Sequence, residues 1–247
     1  MTYLPKKLCS LYVKKEIRYF FTSPIGWTVV AISVILNGLF LWILQTDYNI
    51  FNSGFADLLP FFKLSSWMFV FLIPALTMRS ISEEKKNGML GLLLTKPIST
   101  IALVFGKYLG ILFLILILLI PSLLYVYMLW QLGNPVGNLD VATTIGSYIA
   151  LFLLASTFAA VGLWASAVSN NQIVSFVIAT FLCFFLFFGL DAIVQMIFPN
   201  VMYGLGFQSH FDAISRGVID SRNLLYFISV SVFFIIITSL FIKSYRR

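Results

Sequence analysis

The chain has 247 residues, 60% of them apolar and 10% charged, with a mean hydropathy of +0.99 and a net charge of +7. Soluble domains carry about 25% charge and a spanning helix needs about 20 mostly apolar residues, so a soluble enzyme is excluded. One all-α integral membrane domain over residues 1–247 is expected, with six spans near 25–46, 61–80, 102–130, 143–166, 172–196 and 224–242.

In residues 1–24, Leu4, Leu8, Leu11, Tyr12 and Tyr19 share one helical stripe, while Lys7, Lys14 and Arg18 lie on another. That pattern predicts an interfacial helix lying on the inner leaflet. Ser23-Pro24 ends it and opens the first span, where a proline is tolerated. The first apolar run lacks a small-residue cleavage pattern and reads as a retained span. Trp27, Trp42, Trp130 and Trp164 fall near span ends, as interfacial indoles do, whereas Trp67 sits deeper. Asn37 in the first span reads as a hydrogen-bonding group to a neighbouring helix rather than a substrate ligand.

Residues 47–60 form a short loop. Pro74 and Pro121 lie inside the second and third spans and read as tolerated breaks. "QLGNPVGNLD" is the next loop. "SAVSNNQ" (166–172) is so short that the fourth and fifth spans must be antiparallel neighbours. Residues 197–223 are too polar and glycine-broken to span, and "SHFDAISRGVID" within them predicts a short helix ending at Gly217; Asp191 lies just ahead.

Lysine and arginine sort by side. Thirteen fall in the N-terminal segment, the 79–107 region and the C-terminal tail, against three (Lys63, Arg216 and Arg222) on the other side. The bias places both termini and the 78–100 loop in the cytoplasm. Because the basic residues flank membrane segments and no base-stacking motif accompanies them, a nucleic-acid footprint is excluded.

Catalytic signatures are missing. Gly106-Lys107 is followed by Tyr108, so no phosphate-cradling G-x-x-x-x-G-K-[ST] loop is present. No catalytic, cofactor-binding or metal site is expected, and nucleotide hydrolysis must come from a partner. His210, the single histidine, has Asp212 nearby and reads as structural. Cys9 and Cys183 lie in segments that the topology separates. With span centres almost free of ionisable groups, an ion-coupled carrier is disfavoured.

The loop "MRSISEEKKNGMLGLLLTKPIST" (78–100) gathers four consecutive charges between two apolar walls. Ser80 and Glu83 have capping-box spacing. Glu83 and Glu84 suit the positive end of a short helix and Lys85 and Lys86 the negative end, with Gly88 as the stop. Two turns are too few to stand alone. The loop reads either as a docking handle for a cytosolic protein or as a positive-inside anchor.

"EEKKNGMLGLLLTKPIST…GKYLG" resembles the E-x-x-x-G-T-x-E-x-L-L-x-x-P-[IV]-S…GK signature of ABC-2-type permeases. Glu84, Gly88, Leu92, Leu93, Pro97, Ser99, Gly106 and Lys107 match it, while Met89 and Gly91 stand where Thr and Glu are usual. "FTSPIGW", "NIFNSGFADLLPFF", "FLIPALTMRSISEEKKNG" and "ISRGVIDSRNLLYF" resemble the gliding-motility-associated branch of Bacteroidetes permease subunits. The resemblance implies six spans, an N-terminal elbow helix, a coupling helix between spans two and three, and short outer helices between spans five and six. It also implies an inner-membrane subunit, paired as a homo- or heterodimer, with a cytosolic ABC ATPase and a second membrane subunit bearing a periplasmic domain. Ser80, Glu83, Glu84, Lys85, Lys86 and Gly88 would then form the ATPase-coupling set, and Lys7, Lys14, Arg18 and Trp27 the membrane-interface set. A non-transporting transducer or scaffold with the same architecture is the alternative.

Overall fold

A computed structural model describes residues 13, 16, 18, 20–22, 24–53, 57–94, 99–134, 136–197, 205–217 and 220–244, without the side chains of 25, 52, 53, 92 and 94. The described residues form helices and connecting turns: α1 (Pro24–Gly38), α2 (Ile50–Ser53), α3 (Leu59–Thr77), α4 (Ser82–Lys86), α5 (Met89–Leu94), α6 (Thr100–Leu119), α7 (Leu123–Leu132), α8 (Val141–Val168), α9 (Gln172–Phe184), α10 (Leu190–Ile197), α11 (Phe207–Ser215) and α12 (Ser221–Ser244). Six stretches are long and apolar enough to span: Gly26–Ile43, Leu59–Lys86, Thr100–Leu132, Val141–Val168, Gln172–Ile197 and Ser221–Ser244. They coincide with the six expected from hydropathy. Lys7, Lys14, Cys9 and Pro97 lie outside the described residues.

Besides Leu59–Lys86, which holds a turn between α3 and α4, three spans depart from regular α-helix. A π turn at Leu39–Ile43 ends the first, and another at Phe185–Gly189 joins α9 to α10. The third changes to a 3₁₀ turn at Ile120–Ser122, which contains Pro121. Proline cannot donate to the preceding turn, and the shift in winding accommodates that loss. Pro121 therefore interrupts its span, whereas Pro74 stays inside the continuous α3.

α8 is the centre of the molecule. In its most apolar window 78% of residues are buried, against 28% for the first span, 22% for the fifth and 28% for α12. It packs against α3, α6, α9, α11 and α12. Its buried face is built from small residues: Gly146, Ser147, Ala150, Ala155, Ala159, Gly162, Ala165 and Ser166. In a bilayer, lipid tails compete for apolar surface, so helix association depends on close backbone approach and on interhelical hydrogen bonds. Small side chains supply the first, and serine and threonine the second: Ser231 donates to Thr157 at 3.2 Å, and Ser147 to the Ser215 carbonyl at 3.2 Å.

α1 uses the same device. Asn37 donates to the Ser33 carbonyl at 2.9 Å and accepts from the Ser65 hydroxyl of α3 at 3.2 Å. That is the neighbouring-helix bond expected of it.

At the end away from α4, Asp140 caps α8. Its carboxylate accepts from the amides of Ala142 and Thr143 and from the Thr143 hydroxyl, and these bonds hold its pKa below the ordinary value. Asp191, at the start of α10, is buried and caps a different helix. It accepts from the amides of Gly206 (2.8 Å) and Ser209 (3.1 Å) and thereby seats the first turn of α11. Hydropathy predicts a helix here but gives no hint that its cap comes from another element. His210 stacks on Tyr226 with centroids 4.0 Å apart and shares a 2.7 Å hydrogen bond with Asn223, which ties α11 to α12. Asp191→Ala is expected to cost about 1–2 kcal/mol and to raise amide exchange selectively over residues 206–210; uniform exchange across the chain would refute the capping role.

Candidate coupling site

The second span does not run straight into α4. α3 ends at Thr77, whose hydroxyl turns back onto the carbonyls of Ile73 (3.1 Å) and Pro74 (3.2 Å). The chain then turns through Met78–Ile81 before α4 begins. Ser80 and Glu83 do not form the capping box their spacing suggests. The first residue of α4 is Ser82, and no side chain within the segment caps it. The amides of Ile81 and Ser82 instead donate to the Ser166 hydroxyl of α8, both at 3.0 Å, while Ser166 donates to the Met78 carbonyl at 3.1 Å. One buried hydroxyl from the central helix thus satisfies both strands of the turn. Both amides of the would-be box are engaged elsewhere: that of Ser80 donates to the Thr77 carbonyl at 3.0 Å and that of Glu83 to the Arg79 carbonyl at 3.4 Å.

The four charges of α4 divide by environment. Glu84 is buried and Lys85 is half-buried, reaching back to the Ala167 carbonyl at 2.6 Å with its ammonium 5.4 Å from the Phe241 ring centroid. Glu83 is half-buried; Lys86 is exposed together with Asn87, Gly88 and Met89. Gly88 ends the helix at φ +67°, a conformation that suits glycine, and its amide bonds to the Lys85 carbonyl at 3.1 Å. α5 follows, with Leu90 buried.

The centre of the site is Lys107, on the second turn of α6 and 1% exposed. Its ammonium lies 2.8 Å from a Glu16 carboxylate oxygen, 3.0 Å from one of Glu84 and 2.6 Å from the Ser80 carbonyl. An ammonium has three donors; here it donates to Glu16 and to the Ser80 carbonyl and pairs by charge with Glu84, so the N-terminal helical residues and the α4 loop converge on one cation. Ions are desolvated at a cost of several kcal/mol each, and only this convergence offsets it. Gly110, one turn along α6, makes the approach of Glu16 feasible: a Cβ at that position would lie 2.7 Å from the Glu16 Cβ. The spacing of Lys107 and Gly110 therefore has a geometric reason.

Sequence reading groups Lys107 with the cytoplasmic basic residues and assigns Glu16 no role. Both are central. The available signal was a lysine inside an apolar run, Leu103–Leu114, where an ionisable residue implies a partner. Of the residues expected at the membrane interface, Arg18 is exposed and its carbonyl accepts from the Thr22 hydroxyl at 2.8 Å. Trp27 is 59% exposed and its indole N–H donates to the Phe21 carbonyl at 3.1 Å, folding the start of α1 against the preceding helical residues. Among the described residues no cluster of three or more His, Cys, Asp or Glu could hold a metal, and Cys183 is buried and free.

Six candidate spans, one of them the small-residue central helix, with a short charged helix keyed into one end, describe a multi-pass membrane protein. Residues 12–244 match the family model described as ABC-2 family transporter protein, and the chain belongs to that family. It is accordingly a membrane permease of an ABC transporter. No curated protein matches the chain.

Proposed function

We propose that the chain is the membrane subunit of an ATP-driven ABC complex and that α4 receives force from a separate cytosolic ATPase. The observation that carries this reading is the division of α4 into two edges. One edge is fastened to α6 through Glu84–Lys107 and to α8 through Ser166 and Ala167. The other, Lys86 with the Asn87–Met89 residues that follow it, is exposed. A push on the free edge is carried to two spans at once. The thirteen-to-three basic bias supports a cytosolic position for that edge and for both termini, in the inner membrane of a bacterium.

Ser80, Glu83, Glu84, Lys85, Lys86 and Gly88 share this coupling function unequally. Glu84, Lys85 and the Ser80 carbonyl fasten α4 internally, Gly88 stops it, and Lys86 with the rim of Glu83 meets the partner. The sequence blocks that resemble the gliding-motility branch support a role in surface motility, alongside a second membrane subunit with a periplasmic domain.

Lys86→Glu is the direct test, because Lys86 makes none of the internal bonds described above. The complex is expected to lose at least half of its coupled ATPase stimulation while the variant inserts normally. Retained stimulation would remove α4 as the contact. A cysteine at position 86 should also react with a membrane-impermeant maleimide only in inside-out vesicles; labelling from the periplasmic face would reverse the direction of force.

A further inference from the structure

Beside the exposed edge of α4 is a cavity of about 200 Å³ lined by Glu16, Arg79, Ser80, Glu83, Asn87 and Met89, among others. It is below the usual 300–1,000 Å³ of small-molecule sites and of the scale of one side chain. Two of its polar atoms, the Arg79 Nε and the Ser80 hydroxyl, are buried and find no hydrogen-bond partner among the described residues. Buried donors are normally satisfied, and leaving one unpaired is costly. Both groups can donate, so the missing group is an acceptor. Glu16, Glu83 and Glu84 line the same cavity, and against Arg79 and the Lys107 that pairs with two of them they still leave a negative excess, which disfavours a further anion. A neutral acceptor fits: a carboxamide or main-chain carbonyl. Met89, 48% exposed, gives the mouth an apolar lip suited to the stem of such a residue.

We propose that this cavity is a socket in which the ATPase subunit seats one neutral acceptor group, satisfying Arg79 and Ser80 only in the complex. The identity of the partner rests on the coupling reading above; the need for an acceptor rests on the two unpaired donors.

Ser80→Ala and Arg79→Met separate the socket from a purely structural role. Among the described residues the Ser80 hydroxyl and the Arg79 Nε make no hydrogen bond to lose, so Ser80→Ala should unfold at or above the wild-type temperature and Arg79→Met, which also removes a cation beside three glutamates, close to it. Against the ATPase subunit that copurifies with the tagged chain, titrated onto nanodisc-reconstituted protein, Ser80→Ala should bind about 3- to 10-fold more weakly and Arg79→Met about tenfold or more. Wild-type affinity in both variants, with a photocrosslinker at Lys86 still trapping the ATPase, overturns the socket and leaves the coupling reading standing. If no ATPase copurifies or crosslinks with the wild-type chain, both fall. Lower thermal stability of the free variants would likewise assign Arg79 and Ser80 to the fold and overturn the socket.

Discussion

Lys107→Met is expected to destabilise the folded chain by about 3–5 kcal/mol, the range for breaking a buried ion pair by removing one partner. The substitution keeps most of the side-chain volume, so the loss is electrostatic rather than a packing defect. It strands Glu16 and Glu84, whose side chains are only 12% and 10% exposed, without their shared cation. It also leaves the Ser80 carbonyl without the ammonium donor it now has at 2.6 Å. The diagnostic variant is the triple one, Glu16→Gln, Glu84→Gln and Lys107→Met. Replacing an entire buried ionic group is often neutral or stabilising, so this variant should recover most of the lost stability. It should still fail to couple, because α4 would no longer be held to α6 by charge. Unfolding in detergent and ATPase stimulation of the reconstituted complex read the two effects separately. A single Lys107→Met variant as stable as wild type would show that the buried cluster contributes nothing to the fold.

The spans were legible because hydropathy over a 20-residue window is an average, and averages survive irregularities such as the π turns at Leu39–Ile43 and Phe185–Gly189. The stop at Gly88 was legible too, since a positive φ at a helix end is a local demand. Residues that act across the sequence were not. Ser166 caps a turn 84 and 85 residues away, Asp191 caps α11 from α10, and Glu16 pairs with Lys107 across 91 residues. Nothing in the local pattern around these positions distinguishes a partner from a solvated polar group. The Ser80–Glu83 spacing shows the converse: a local motif can be present yet unused when a buried hydroxyl from another helix supplies the acceptor. The central position of α8 did leave a trace. Its density of Gly, Ala and Ser is what close packing in a bilayer requires, although periodicity and hydropathy alone rank it with the other spans.

Gly162→Ala tests that packing where it is tightest. An ideal Cβ on Gly162 would lie 2.0 Å from the Thr77 hydroxyl oxygen, 2.8 Å from its Cβ and 3.2 Å from its Cγ2. Two effects oppose each other. Alanine in place of glycine inside a helix is worth about 1 kcal/mol, whereas overpacking a close contact costs typically 1–3 kcal/mol and occasionally more. At 2.0 Å the contact is far inside van der Waals separation, and Thr77 has little freedom to yield: it is fully buried and its hydroxyl is held by Ile73 and Pro74. The clash should win, with a net destabilisation of about 2 kcal/mol or more, together with a parting of α3 from α8 just where the turn into α4 begins. Thr77→Ala should rescue only part, since the 2.8 Å contact with Cβ remains. In a Thr77→Gly background all three contacts vanish, and the same Gly162→Ala change should become stabilising through helix propensity alone. A reversal of sign between the two backgrounds, measured as a double-mutant cycle, would establish that the seam is set by this one contact; additive effects would place the cost of Gly162→Ala elsewhere on α8.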